Sequence, residues 1–275
     1  MLVKTELTHD GFPLKYAYTN ASRQECIVLA MPFGLRIELA DAFFRFYQPH
    51  YDIVSWESRL ILDPPGLETS LDNFAVENHV KDLVTVLRAC QVSRAILVGY
   101  CSGAGIALAA ASRFPKLVST LILVHGEYVL LDDESCTTQF AEDMDRLLSV
   151  AAKSEGHARQ VFEKVNSERP LTNNNLPKGI DMPFTKLHYL HRHAMNYLAY
   201  KAIDFRGLAQ SITHRSLLLT GNKDAQVNVE STREIHKLMR NAEIYVDINA
   251  DHYGILREDS KTLAVLWNYL TAQQS

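Results

Sequence analysis

Ile96-Leu97-Val98-Gly99-Tyr100-Cys101-Ser102-Gly103-Ala104-Gly105 is the stretch on which the reading of this 275-residue chain turns. An apolar run suited to a buried strand passes through a turn of small residues into an alanine-rich stretch, GIALAAASRF, that predicts a helix. Where a strand reverses straight into a helix, the apex side chain sits on strained backbone and the helix closely approaches the strand. The positions two before and two after the apex must then be small. Gly99 and Gly103 frame Cys101 in that register. Moving the apex to Ser102 would place Tyr100 and Ala104 at the clearance positions, where a tyrosine clashes. Cys101 is therefore the side chain presented at the turn, and the positive end of the following helix is expected to favour its thiolate.

Outward from this unit, strand and helix patterns alternate. Upstream lie LVKTEL from Leu2 and LKYAYTN from Leu14, an antiparallel start around the turn signal Asp10-Gly11. The buried-strand run CIVLAMPFG from Cys26 follows, then the helical ELADAFFRFYQ from Glu38, the strand YDIVSWES and the helix VENHVKDLVTVLRAC. Downstream come the strand LVSTLILVHG and, later, RSLLLTGNKD, the helix VESTREIHKLM, the strand AEIYVDIN and a closing helix around KTLAVLWNYLTA. Such alternation predicts an α/β fold with a mostly parallel central sheet flanked by helices. Between Asp132 and Phe205 no strong strand occurs, helical periodicity dominates, and Pro170, Pro177, Gly179 and Pro183 break it into pieces. Residues 1–131 and 206–275 are accordingly expected to form the core, and 132–205 a helical cap.

A thiol nucleophile needs a base, and the base needs an orienting acid. Asn249-Ala250-Asp251-His252-Tyr253-Gly254 places His252 in a loop before the last helix, and Leu217-Leu218-Leu219-Thr220-Gly221-Asn222-Lys223-Asp224 delivers Asp224 after a late strand. The chain order is nucleophile, acid, base. With the cysteine at its turn, this arrangement resembles the α/β-hydrolase superfamily over nearly the whole chain. The resemblance implies an α/β-hydrolase fold with Cys101 as nucleophile, His252 as general base and Asp224 as orienter of the imidazole. It also implies an oxyanion hole using the backbone N–H of Ser102. The second donor should follow the strand CIVLA, where Met31-Pro32-Phe33-Gly34 stands; Pro32 has no N–H, so Phe33 is the first choice and Gly34 the reserve.

Serine is the usual occupant of such a turn. Attack of a thiolate on a thioester is nearly isoenergetic, so a cysteinyl intermediate stays reversible and can be handed to another thiol, whereas an oxygen ester favours one-way release. The elbow Gly99-Tyr100-Cys101-Ser102-Gly103 resembles, more loosely, the cysteine-type acyl and aminoacyl transferases of nonribosomal peptide pathways. That resemblance implies acyl or peptidyl carrier proteins as partners and their phosphopantetheine arm as substrate, with no bound cofactor. The segment Trp56-Glu57-Ser58-Arg59 stands where many hydrolases carry Asp-x-Arg-Gly, and lacks the glycine. An aminoacyl cargo would bring an ammonium, for which Glu127 or Glu57 is a candidate carboxylate; Tyr100 is set beside them as a substrate contact. Arg36, Arg45, Lys178, Lys186 and Arg192 are candidates for a basic rim facing an acidic carrier. The same triad would equally serve a thioesterase or a cysteine-type ester or lactone hydrolase, and a non-catalytic receptor would use none of it.

Composition narrows the classes further. With 28 Lys and Arg against 32 Asp and Glu, a net charge of −4 and no basic cluster, the chain is not expected to bind nucleic acid. No stretch of about 18 apolar residues or secretory leader pattern occurs, so neither membrane nor export is expected. Four cysteines without CxxC spacing suit a reducing, cytoplasmic setting. His188, His191 and His193 invite a metal reading, but no carboxylate or cysteine completes a set, and no metal is expected.

Overall fold

Eight strands form one sheet in the order β1-β2-β4-β3-β5-β6-β7-β8. They are β1 (Leu2–Leu7), β2 (Pro13–Tyr18), β3 (Cys26–Ala30), β4 (Asp52–Trp56), β5 (Ala95–Tyr100), β6 (Val118–Val124), β7 (Arg215–Gly221) and β8 (Ala242–Asp247) in a computed structural model that describes residues 1–20, 25–131, 134–168 and 176–272. The hairpin β1–β2 joins β4 antiparallel, and every pairing from β4 to β8 is parallel. All residues of β3 and β5 are buried, as continuous apolar runs require when both faces are covered.

The two faces follow from the two-residue period of each strand. Ile27 and Leu29 of β3 pack with Phe43, Phe44 and Tyr47 of α1 (Asp41–Tyr47) and with Leu263 and Leu266 of α9 (Lys261–Thr271). Val28 and Ala30 face the other way, into the cluster built by Val80, Leu83 and Leu87 of α2 (Val76–Ala89) and the alanines of α3 (Ser102–Arg113). The helix expected from Glu38 begins instead with a 3-10 turn, Ile37–Ala40, before α1.

Between β6 and β7 the chain leaves the sheet and forms α4 (Gln139–Ala151), α5 (Glu155–Glu168) and α6 (Leu187–Lys201). These helices pack on one another around Leu148, Ala151, Ala158, Leu190 and Ala194. The short α7 (Phe205–Gln210) returns to the sheet layer against α3 and α8 (Val229–Leu238). The expected boundary at Asp132 and the break at Pro170 lie outside the described residues. Among the described residues no helix is long and apolar enough to cross a membrane.

Candidate active site

Parallel strands end at one edge of the sheet, and the loops that follow them meet there. Cys101 sits between β5 and α3 with φ 53° and ψ −124°, a conformation that non-glycine residues rarely adopt. A β-carbon on Gly99 would lie 2.5 Å from the Ala104 Cα, and one on Gly103 would lie 2.2 Å from the Ala30 carbonyl oxygen. The turn thus has the clearance that its glycines predict, and Cys101 occupies the apex.

Asp224, after β7, and His252, after β8, meet through a 2.8 Å hydrogen bond from His252 Nδ1 to Asp224 Oδ2. That bond leaves Nε2 as the lone-pair nitrogen. Burial lowers the imidazole's pKa and Asp224 opposes it, so neutral His252 is the resting form at pH 7. The Tyr100 hydroxyl donates to the His252 carbonyl at 3.0 Å. Tyr100, expected to contact substrate, thus has its polar atom committed to the histidine loop.

A further residue, His125, completes the group. It follows β6 with φ 46°, is fully buried, and donates from Nδ1 to the same Asp224 Oδ2 at 2.8 Å. The other carboxylate oxygen accepts the backbone N–H groups of Gln226 (2.8 Å) and Val227 (3.0 Å). Burial alone would raise Asp224, but the two imidazole hydrogen bonds hold it well below the usual carboxylate range. Nothing in the run LVHG distinguished His125 from the end of a strand; the signal was only a polar ring in an otherwise apolar stretch.

Cys101 departs from expectation in its ionisation. Burial, and then the charge of Glu127, raise the thiol well above its ordinary value and outweigh the N–H of Ser102 at the start of the helix. Sγ donates to Glu127 Oε2 at 3.8 Å. Cys101 therefore rests as a neutral thiol, and would need a general base to act as a nucleophile.

Both candidates for the second oxyanion donor are already engaged. Phe33 N–H donates to the Ser102 hydroxyl at 3.1 Å, and Gly34 N–H to the Ser58 hydroxyl at 2.8 Å. With its donor bonded to Ser102 Oγ, Phe33 would have to give up that bond to meet an oxyanion directly.

Residues 58–259 match the sequence model of the alpha/beta hydrolase fold family. The chain belongs to that family. Among curated proteins this α/β-hydrolase is 26% identical over 180 residues to an L-allo-isoleucyltransferase of Pseudomonas savastanoi pv. glycinea, covering 64% of this chain and 62% of that one. The match therefore spans less than two thirds of that relative's length. It is 22% identical over 207 residues to a 2-hydroxy-6-oxo-2,4-heptadienoate hydrolase of Pseudomonas putida, covering 73% and 72% of the two chains. Among solved structures, the enol-lactonase of Burkholderia xenovorans superposes with a TM-score of 0.73 at 16% identity, covering 98% of this chain and 100% of the other. That likeness concerns the fold.

In this α/β-hydrolase a cavity of about 390 Å³ opens onto Cys101, Ser102 and His252. Met144, Leu148, Val165, Phe184 and Tyr197 roof it from α4, α5, α6 and the segment leading into α6, and Phe33, Tyr100 and Glu127 also line it. Glu57 does not. It is buried, with one oxygen bonded to Lys15 at 2.8 Å and the other to Arg36 at 3.0 Å, so, contrary to expectation, it is spent on an internal charge cluster and does not face a substrate. Arg192 is not on the rim either: it is buried and donates to the carbonyls of Leu60, Asp63, Pro64 and Leu67. Arg36, Arg45 and Lys178 do share a surface cleft with Arg257, alongside Glu38, Asp41 and Glu258. Leu176 lines both that cleft and the cavity.

Among the described residues the group whose potential ligand atoms converge is His125, Asp224 and His252, all within 4.8 Å. There the two imidazoles are bonded to the carboxylate itself. The α6 histidines form no such group, although His193 lines the cavity.

Proposed function

We propose that this α/β-hydrolase-fold protein is an acyl or aminoacyl transferase that carries its cargo as a thioester on Cys101 between phosphopantetheinyl thiols of carrier proteins. The observation that carries the reading is a cysteine at the apex of the turn, in a largely apolar cavity roofed by helices. Its likeness to an L-allo-isoleucyltransferase supports the same chemistry.

His252 Nε2 takes the thiol proton as Sγ attacks the thioester carbonyl. The Sγ–C bond forms, the bond to the pantetheine sulfur breaks, and that sulfur leaves with the proton from His252. An incoming pantetheine thiol reverses the sequence: its proton goes to His252, its sulfur takes the acyl carbon, and Cys101 leaves as a thiol. Asp224 holds the imidazole in the tautomer this requires and stabilises the imidazolium that forms. The oxyanion is met by the Ser102 backbone N–H and, on the other side, by Phe33 N–H or by the Ser102 hydroxyl that now engages it. The apolar roof keeps water scarce, so a thiol acceptor wins by nucleophilicity. The cleft that meets the cavity at Leu176 carries Lys178 with Arg36, Arg45 and Arg257, and the three arginines would have to exchange their partners Glu57, Glu258 and Asp251 for the phosphate and acidic surface of a carrier. All four cysteines are free, which suits the cytoplasm.

The likeness to a ring-cleavage product hydrolase favours a second reading, in which the same triad passes the acyl group to water, as thioesterase or ester hydrolase. Intact-mass measurement separates the two. Wild type and Cys101→Ala are incubated with acyl- and aminoacyl-loaded carrier proteins, and empty holo-carrier is added second. A wild-type adduct, absent from C101A and chased onto the carrier faster than it is lost to water, is the expected result. Loss at the same rate with and without carrier would establish the hydrolase instead.

A further inference from the structure

A carboxylate touching a thiol nucleophile needs an explanation. Glu127 Oε2 lies 3.8 Å from Cys101 Sγ, where an ionised carboxylate opposes the thiolate and repels the oxyanion that follows. Among the described residues Glu127 has no ion-pair partner; the lysine whose charge it feels, Lys201, is bonded to Asp145. The Glu127 backbone is fixed at both ends. Its N–H donates to the Cys101 carbonyl at 3.1 Å, and its carbonyl accepts the Tyr200 hydroxyl. The carboxylate is thus held against the nucleophile by the fold and left without a cation.

A cation would arrive with one class of cargo. In a cysteinyl aminoacyl thioester, the α-nitrogen is separated from Sγ by the carbonyl carbon and the α-carbon, a span of about 3–4 Å at ordinary bond lengths. A carboxylate oxygen 3.8 Å from the same sulfur is within hydrogen-bond reach of that nitrogen. We propose that Glu127 is the receptor for the α-ammonium of an aminoacyl cargo with an apolar side chain, and that the Cys101 thiol stays hydrogen-bonded to Glu127 until the ammonium displaces it. This rests on the acyl-enzyme reading above. The ammonium offsets the negative charge beside the sulfur, the freed thiol turns to His252, and its proton passes to Nε2 as the Sγ–C bond forms; the cargo's own carbonyl–sulfur bond breaks, and the departing sulfur takes that proton. A cargo without the amine leaves the thiol where it is. Met144, Leu148 and Phe184 offer the cargo's side chain only apolar contacts.

The test compares wild type with Glu127→Gln, which keeps the shape and removes the charge. Adduct formation is timed with N-acetylcysteamine thioesters of L-valine and of 3-methylbutanoic acid, which share a carbon skeleton and differ in the amine. The pH dependence of iodoacetamide alkylation of Cys101 is measured alongside. Wild type is expected to favour the valyl thioester by about 10- to 100-fold, the factor carried by one charge-assisted hydrogen bond to the ammonium. In E127Q that preference collapses towards unity, and alkylation moves to lower pH. A valyl preference retained in E127Q, or superimposable alkylation profiles, would overturn the assignment. Valyl-selective adducts that pass only to water would overturn the shuttle and leave Glu127 in its role.

Discussion

At the scale of single residues, the unusual device is one carboxylate oxygen serving two imidazoles. Asp224 Oδ2 accepts both His125 Nδ1–H and His252 Nδ1–H at 2.8 Å, so its electron density is divided between a histidine that lines the cavity shared with Cys101 and one that is wholly buried. Sharing weakens what His252 alone would gain, and the neighbouring His125 further disfavours a positive charge on His252. His125→Leu is therefore expected to raise the His252 pKa and move the acid limb of kcat/KM to higher pH, with His125→Asn, which keeps a donor, moving it back. An unmoved limb in H125L would reduce His125 to a spacer. Cys101 was legible because two glycines at fixed distances leave only one residue for the apex, and Asp224 and His252 because each closes a strand at the right place in the order. His125 was not, since a positive φ and a shared carboxylate are properties of contacts made 99 residues apart. The same limit misplaced Glu57: it and Glu127 both follow strands, and only the folded chain brings Lys15 and Arg36 to the former.

Among elements, the strands of the sheet were readable as short apolar runs and its helices from their period, whereas the packing of α4, α5 and α6 was not, because periodicity names a buried face without naming what buries it. The segment after β4 shows what composition hides. No glycine follows Arg59, and its side chain is completely buried. It donates from Nε and Nη2 to Asp82 of α2, from Nη1 and Nη2 to Asp10 in the β1–β2 turn, and from Nη1 to the Asn73 carbonyl. One guanidinium thus ties the opening hairpin, a loop and a helix together. Arg59→Leu strands a buried carboxylate at Asp82 and is expected to cost about 3–5 kcal/mol in urea unfolding. Adding Asp82→Leu should recover part of that loss; if the single variant costs nothing, water reaches the pair.

Across the whole molecule, charge sets how stability follows pH. Asp10 is depressed from 3.8 to about 2 where the Arg59 and Thr8 hydrogen bonds outweigh its burial, and Asp224 lies lower still. For both, the stabilisation is complete above the ordinary value of 3.8 and is lost as pH falls towards the folded values. Melting temperature should therefore hold at neutral pH and drop steeply below about pH 4. Glu127 acts in the opposite sense. Burial raises it, so its ionised form costs stability above its ordinary value of 4.5, and E127Q should melt higher than wild type at pH 7 and no higher at pH 4. Equal melting at both would mean that the carboxylate is as well solvated folded as unfolded.

The helices over the cavity all come from one excursion between β6 and β7, whereas Cys101, Asp224 and His252 stand on loops of the sheet itself. If the proposed reaction runs on those loops, the fit of the cargo's side chain and the bond-making are written in separate stretches of the polypeptide. A lineage could then rewrite the ceiling by substitution or by wholesale exchange of that excursion, and inherit the reaction unchanged beneath it.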